Sequence, residues 1–179
     1  MSRVMPVQPE EARGPAKDLL AAVGRAFGLV PNATRVMAQS PAVLEGYLAL
    51  SAALGKVGIG EKLHTQVKLA ASEANASNYC TSILVAVGSR AGLTAADLVE
   101  GRSARAADGR TDAGLRFAAE VLATRGKVTD ADLRAVRAAG FDDAAIVEIV
   151  ASLALGCYTN FLNNVAETPL DIPAAAPLP

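Results

Sequence analysis

The chain has 179 residues and a mass of 18.3 kDa; 51% of residues are apolar, 4% aromatic, and the net charge is −1. That length carries one domain with a substantial core, and the balanced charge, with no basic stripe, excludes the electrostatic footprint of a nucleic-acid binder. About a fifth of the residues are alanine and none is tryptophan, which favours close-packed helices over strands.

Residues 1–14, with Pro6, Pro9 and Gly14, read as a flexible N-terminal arm. From Pro15 the apolar positions Leu19, Leu20, Val23 and Phe27 recur at helical spacing until Gly28 and Pro31 stop them. A short segment, 33–38, leads to Ser40-Pro41, a cap and first-turn pair for a helix running to about Leu54. Glu61 opens a helical stretch to Ala74, and Asn75-Ala76-Ser77-Asn78 interrupts it with residues that prefer caps. Tyr79 to Ala91 is the next helix. Thr94 caps a short one, and a polar loop covers about 101–110. Helices follow over 112–124, 130–139 (capped by Thr129) and 143–165 (capped by Asp142).

The last helix is the most apolar. Only Glu148 and Ser152 interrupt Ile146 to Leu155, more apolar surface than one face of a monomer core needs, so a homo-oligomer is expected. Four prolines make 169–179 an extended tail. Nothing alternates with period two. The fold class is all-α with about seven or eight helices, as one domain over 15–168. With no signal-like apolar start and no long uncharged apolar run, a cytoplasmic protein without a membrane partner is expected.

Cys80 and Cys157 are far apart, and a disulfide between them is not expected in a reducing compartment. His64 is the one histidine, so the ligand set is too sparse for a metal site. No metal and no organic cofactor is expected.

The string Leu69-Ala70-Ala71-Ser72-Glu73-Ala74-Asn75-Ala76-Ser77-Asn78-Tyr79-Cys80 resembles the core of the carboxymuconolactone decarboxylase / alkylhydroperoxidase D (AhpD)-like superfamily, in its peroxidase-related branch. The similarity continues through Arg125 to Leu133, Ala138 to Phe141, Ile146 to Ile149 and Thr159 to Thr168, and covers about residues 15–173. The resemblance implies an oligomeric helical fold. In the redox-active members two cysteines in a CxxC exchange a disulfide, with a glutamate and a histidine relaying protons. Carried onto this sequence, the first cysteine is Ser77, the second is Cys80, the histidine is Leu84 and the glutamate is Thr65. Asn164 stands where the family often has another histidine.

A dithiol peroxidase needs a resolving thiol, and Ser77 is not one. The replacements make the implied pocket less charged and more apolar, suited to a small neutral or apolar organic molecule. A non-redox, cofactor-free enzyme is therefore expected, acting by decarboxylation, isomerisation, cyclisation or elimination. Two alternatives stand beside it: a thiol-dependent hydroperoxide reductase using Cys80 alone, and a non-catalytic oligomeric binding protein. His64 is the candidate acid–base group, with Cys80 retained as a thiol near a helix start. Ser77 is either a cap or a pocket donor, and Glu73 either structural or catalytic. Tyr79, Tyr158, Asn160 and Asn164 supply polar groups to the same cavity. If the helix ran on through 75–78, positions 73, 77, 80 and 84 would share one face.

Overall fold

The computed structural model describes residues 2–178, so Met1 of the arm and Pro179 of the tail lie outside it. Nine α-helices and no strands are present among the described residues: α1 Gly14–Phe27, α2 Asn32–Met37, α3 Pro41–Leu54, α4 Gly60–Ala74, α5 Asn78–Arg90, α6 Ala95–Ser103, α7 Gly109–Thr124, α8 Asp130–Ala138 and α9 Asp143–Ala166. The count exceeds the expected seven or eight because 32–37 forms a genuine short helix. The loop expected at 101–110 shrinks to five residues between α6 and α7. Glu100 and Asp112 help to fold it by accepting from the Ala107 and Ala106 N–H groups.

Several helix starts follow their sequence signals. Thr94 with Asp97, and Thr129 with Asp132, form reciprocal capping boxes, and Asp142 accepts from the Ala145 N–H. Ser40 and Ser77 occupy N-cap positions but make no side-chain cap bond.

Helix α4 is the axis of the bundle, and α5, α6, α7 and α9 pack around it. Each neighbour brings a glycine to the contact. A Cβ at Gly101 would sit 2.9 Å from Gln66 Cα, at Gly114 3.1 Å from Leu63, at Gly156 3.2 Å from Ala71 and at Gly88 3.5 Å from Thr65. Leu63, Val67 and Ala71 of α4 thereby join Leu115, Phe141, Ile149 and Leu153 in the main core. A smaller cluster of Ala16, Leu20, Met37 and Leu44 lies under α1–α3.

Helix α9, 24 residues with mean hydropathy 1.6 in its most apolar window, is long and apolar enough to cross a membrane. Its polar residues are committed to the bundle instead. Glu148 accepts from the Gly58 and Ile59 N–H groups at the start of α4, both at 2.9 Å, and Ser152 meets His64. The two terminal segments are also tied down. Arg3 N–H donates to Ala166 O and Val7 N–H to Arg35 O, so 2–13 is a docked strap rather than a free arm. The tail is held by Asp171 on Asn32 and by Ala176 on Arg102.

Gly101→Ala should lower stability by about 1–3 kcal/mol, because the new methyl meets backbone rather than a movable side-chain end. Gly46→Ala, in α3 with open space around it, should raise stability by about 0.5–1 kcal/mol. Thermal or urea unfolding of the two variants measures both signs.

Candidate functional site

Between α4 and the α1–α3 layer lies a cavity of about 220 Å³. Helix α5 supplies one wall with Tyr79, Cys80, Ile83, Leu84 and Val87, and α9 supplies Leu155, Thr159 and Asn163. Tyr47 and Ser51 of α3, Met37 of α2 and Ile172 of the tail close it. Most of its surface is apolar. The two cations on its walls are Lys68 and Arg90, and none of its lining residues is acidic.

The chain reaches this geometry through a break. Helix α4 ends at Ala74, Ala76 adopts a left-handed φ of 48°, and α5 begins at Asn78. The turn is held from α9: Asn75 donates to Asn160 Oδ1 at 3.0 Å, Asn160 to Ser72 Oγ at 3.0 Å, and Asn164 to Asn75 O at 2.8 Å. The helix therefore does not run through 75–78, and Glu73 is not on the face of Cys80 and Leu84. Glu73 pairs with Arg102 on the border of a separate groove.

Of the residues singled out in the sequence, the structure brings Cys80, Leu84 and Tyr79 to the cavity. The Cys80 thiol is buried and accepts from Asn163 Nδ2 at 3.3 Å. Tyr79 is spent as a proton donor: its hydroxyl donates to Asp171 at 3.0 Å and accepts from the Ala33 N–H at 3.2 Å. Burial raises its pKa well above the ordinary tyrosine range.

The others stand elsewhere. The Ser77 hydroxyl is buried, has no hydrogen-bond partner among the described residues and lies off the cavity wall. Thr65 is buried against α5 near Gly88. Asn160 and Asn164 build the turn, and Tyr158 packs on Tyr47 from the outer side, ring centroids 6.3 Å apart. Cys157 receives the Asn75 amide at 3.6 Å, and burial raises its pKa.

His64 is corrected most sharply. It does not line the cavity; it is buried one turn below, with Nδ1 2.8 Å from Ser152 Oγ. Ser152 donates to Glu148 O at 2.7 Å, which leaves its oxygen to accept from His64 Nδ1–H, and burial favours the uncharged ring. Among the described residues no group of three or more His, Cys, Asp or Glu side chains converges as a metal site.

No family model and no curated relative matches this sequence. Solved structures do. A peroxidase-related protein with an alkylhydroperoxidase AhpD core from Ralstonia eutropha JMP134 superposes with a TM-score of 0.80 at 23% identity, covering 95% of this chain and 92% of that one. A peroxidase-related protein from Silicibacter sp. TM1040 gives 0.76 at 18%, covering 97% and 92%. The chain has the AhpD-like fold. A variant of the debrominase Bmp8 in complex with 2,3,4-tribromopyrrole also shares it, with a TM-score of 0.80 at 16% identity over 96% of this chain and 92% of that one.

On this AhpD-like scaffold, sequence reasoning missed Lys68 and Tyr47. A lysine inside the apolar run from Val67 to Ala71 was the available signal, since a cation set among buried neighbours is drawn away from solvent with them. Tyr47, on α3, carried no local mark. Burial raises its pKa, with the nearby Cys80 adding to the shift.

The buried imidazole gives a measurable consequence. Burial, reinforced by the Lys68 charge, lowers the His64 pKa from 6.5 to about 4. The unfolded chain thus takes up that proton first, and stability present above pH 6.5 is lost as pH falls toward about 4. Because His64 is the one histidine, its proton NMR resonances report it directly. A midpoint near 4 is expected, and one near 6.5 would place the ring in solvent.

Proposed function

We propose that this AhpD-like chain takes a small, largely apolar organic molecule into the cavity beside Cys80 and converts it without a redox dithiol, metal or organic cofactor. The observation that carries this is the isolation of the Cys80 thiol in an apolar wall. Ser77 is buried off the cavity, Cys157 packs elsewhere, and Leu84 presents hydrocarbon where a relay imidazole would stand. A sulfenic acid formed on Cys80 would find no resolving thiol in the chain.

The cavity is smaller than the roughly 300–1,000 Å³ of drug-sized sites. That suits a single small ring or short chain, and the neighbour Bmp8 holds such a compound in 2,3,4-tribromopyrrole. The two free thiols suit a reducing, cytoplasmic compartment.

Self-association belongs to the same proposal. Val147, Val150, Tyr158, Phe161 and Val165 leave an exposed apolar stripe along α9, and a second copy of this chain covers it. Sedimentation at micromolar concentration should give a multiple of 18.3 kDa, and Phe161→Lys with Val165→Lys should reduce it to the monomer mass.

Occupancy of the cavity is tested at its rim. Small apolar ring compounds should raise the melting temperature. Val87→Trp, at the exposed mouth, should abolish that rise, while Val99→Trp, exposed on α6 away from the cavity, should leave it intact. Hydroperoxide turnover with a dithiol donor should stay at background; a rate in the ordinary enzyme range of about 1–1,000 per second would favour the single-thiol peroxidase instead.

A further inference from the structure

We infer that Lys68 is a carbonyl-capturing amine, and that the molecule the cavity takes is a small apolar aldehyde or ketone held as an imine on Lys68 Nζ. This rests on the cavity reading above and gives it a substrate class.

The position argues for it first. Lys68 lies in the middle of α4, enclosed by α5, α6, α7 and α9. Its stem is pressed on Gly156, where an added Cβ would come within 3.4 Å of Lys68 Cα and 3.5 Å of Cγ. A lysine seated there reaches solvent through the cavity it lines.

Its surroundings argue next. Exposed Lys62 pairs with Asp97, whereas Lys68 has no hydrogen-bond or ion-pair partner among the described residues. The groups sharing its cavity are Arg90, Cys80 and Tyr79 of α5 and Tyr47 of α3, none of them acidic. On its own helix, His64 is turned to Ser152, and Glu61 acts from two turns away. Tyr79 separates the cavity from Asp171, which holds its hydroxyl. Burial favours the neutral amine and pushes the Lys68 pKa down to about 8. A lysine whose neutral form is drawn on near neutral pH in this way is a nucleophile toward carbonyl carbon.

The step needs no co-reactant. The Nζ lone pair forms a bond to the carbonyl carbon, the C=O π pair moves to oxygen, and that oxygen takes a proton. The carbinolamine then expels the oxygen as water while nitrogen gives up its protons, so amine plus carbonyl yields imine plus one water. Hydroxyls of Tyr47, Ser51 and Thr159 stand on the walls to accompany the proton. Once protonated, the imine draws electrons from the adjoining carbon and acidifies its C–H, which suits proton transfer and isomerisation.

The test uses the full chain with benzaldehyde and cyanoborohydride, and benzyl alcohol as the matched ligand that cannot form an imine. At about pH 7.5, peptide mapping should find the added benzyl group on Lys68 at least about tenfold above Lys17, Lys56, Lys62 or Lys127, because burial holds the Lys68 pKa down at about 8 and favours its neutral amine. Excess benzyl alcohol should suppress it. Thiol addition at Cys80 reverses and is not trapped, and the α-amino group is resolved in the same map. Lys68→Met and Lys68→Arg should lose the adduct yet still show the melting-temperature rise with benzyl alcohol, while Lys62→Met should keep both. If benzyl alcohol stabilises the protein but Lys68 is labelled no faster than the other lysines, the imine proposal is overturned and the cavity reading stands. If neither compound raises the melting temperature, the cavity reading falls and takes the imine with it.

Discussion

Everything in this bundle depends on the enclosure of α4. Three glycines, on α6, α7 and α9, remove the side chains that would hold those helices at an ordinary distance from α4. Close approach gives dense packing with few aromatic residues, and it denies water to a helix whose sequence is not wholly apolar. Each polar group on α4 must then find a partner inside the protein. His64 donates to Ser152, Gln66 donates to Asp97 O, and Ser72 bonds Lys68 O and Asn160. The Gln66 Oε1 and the Lys68 amine are left without a partner among the described residues, and Lys68 is the one that opens on the cavity.

The same logic explains the turn that creates the site. An uninterrupted helix would carry Ser77 and Cys80 along the α4 axis, away from the α1–α3 layer. The asparagine relay from α9 stabilises the break by satisfying the Asn75 backbone carbonyl and side-chain amide together. With the break fixed, α5 sets off at a new angle and turns Cys80 and Leu84 to the cavity. Asn163 finishes the placement by donating to both the Cys80 sulfur and Thr159 O. The tail contributes as well: Asp171 clamps Tyr79 and the start of α2, and Ile172 closes the wall beyond it.

In the function proposed above, the reactive group of the cavity is an amine rather than a thiol pair. The residues that serve redox exchange in the resembled family are here a buried hydroxyl, a lone thiol and two side chains without acid–base capacity. The cavity walls carry Lys68 and Arg90 together with hydroxyls, and no carboxylate. An ion pair would fix that lysine as a permanent cation; apolar walls keep its neutral form accessible.

Much of the fold was legible in the sequence because it is written in local chemistry. Thr94, Thr129 and Asp142 cap helices through atoms three residues away, and the glycine and proline stops act on their own backbone. Alanine content, helical spacing and the Ser72-Glu73-x-Asn75 string were enough to point to the AhpD-like fold. The site was legible only where residues sit close together on α5, as Tyr79, Cys80 and Leu84 do. Glu73 was misjudged because the left-handed residue Ala76, an alanine without local warning, breaks the face it was assigned to. His64 was misjudged because its partner, Ser152, is 88 residues away. Lys68 acquires its character from Gly156 behind it, from four enclosing helices and from the absence of acid on walls drawn from α1, α2, α3, α5, α9 and the tail. None of those is a property of its neighbours in sequence, so only the tertiary structure decides it.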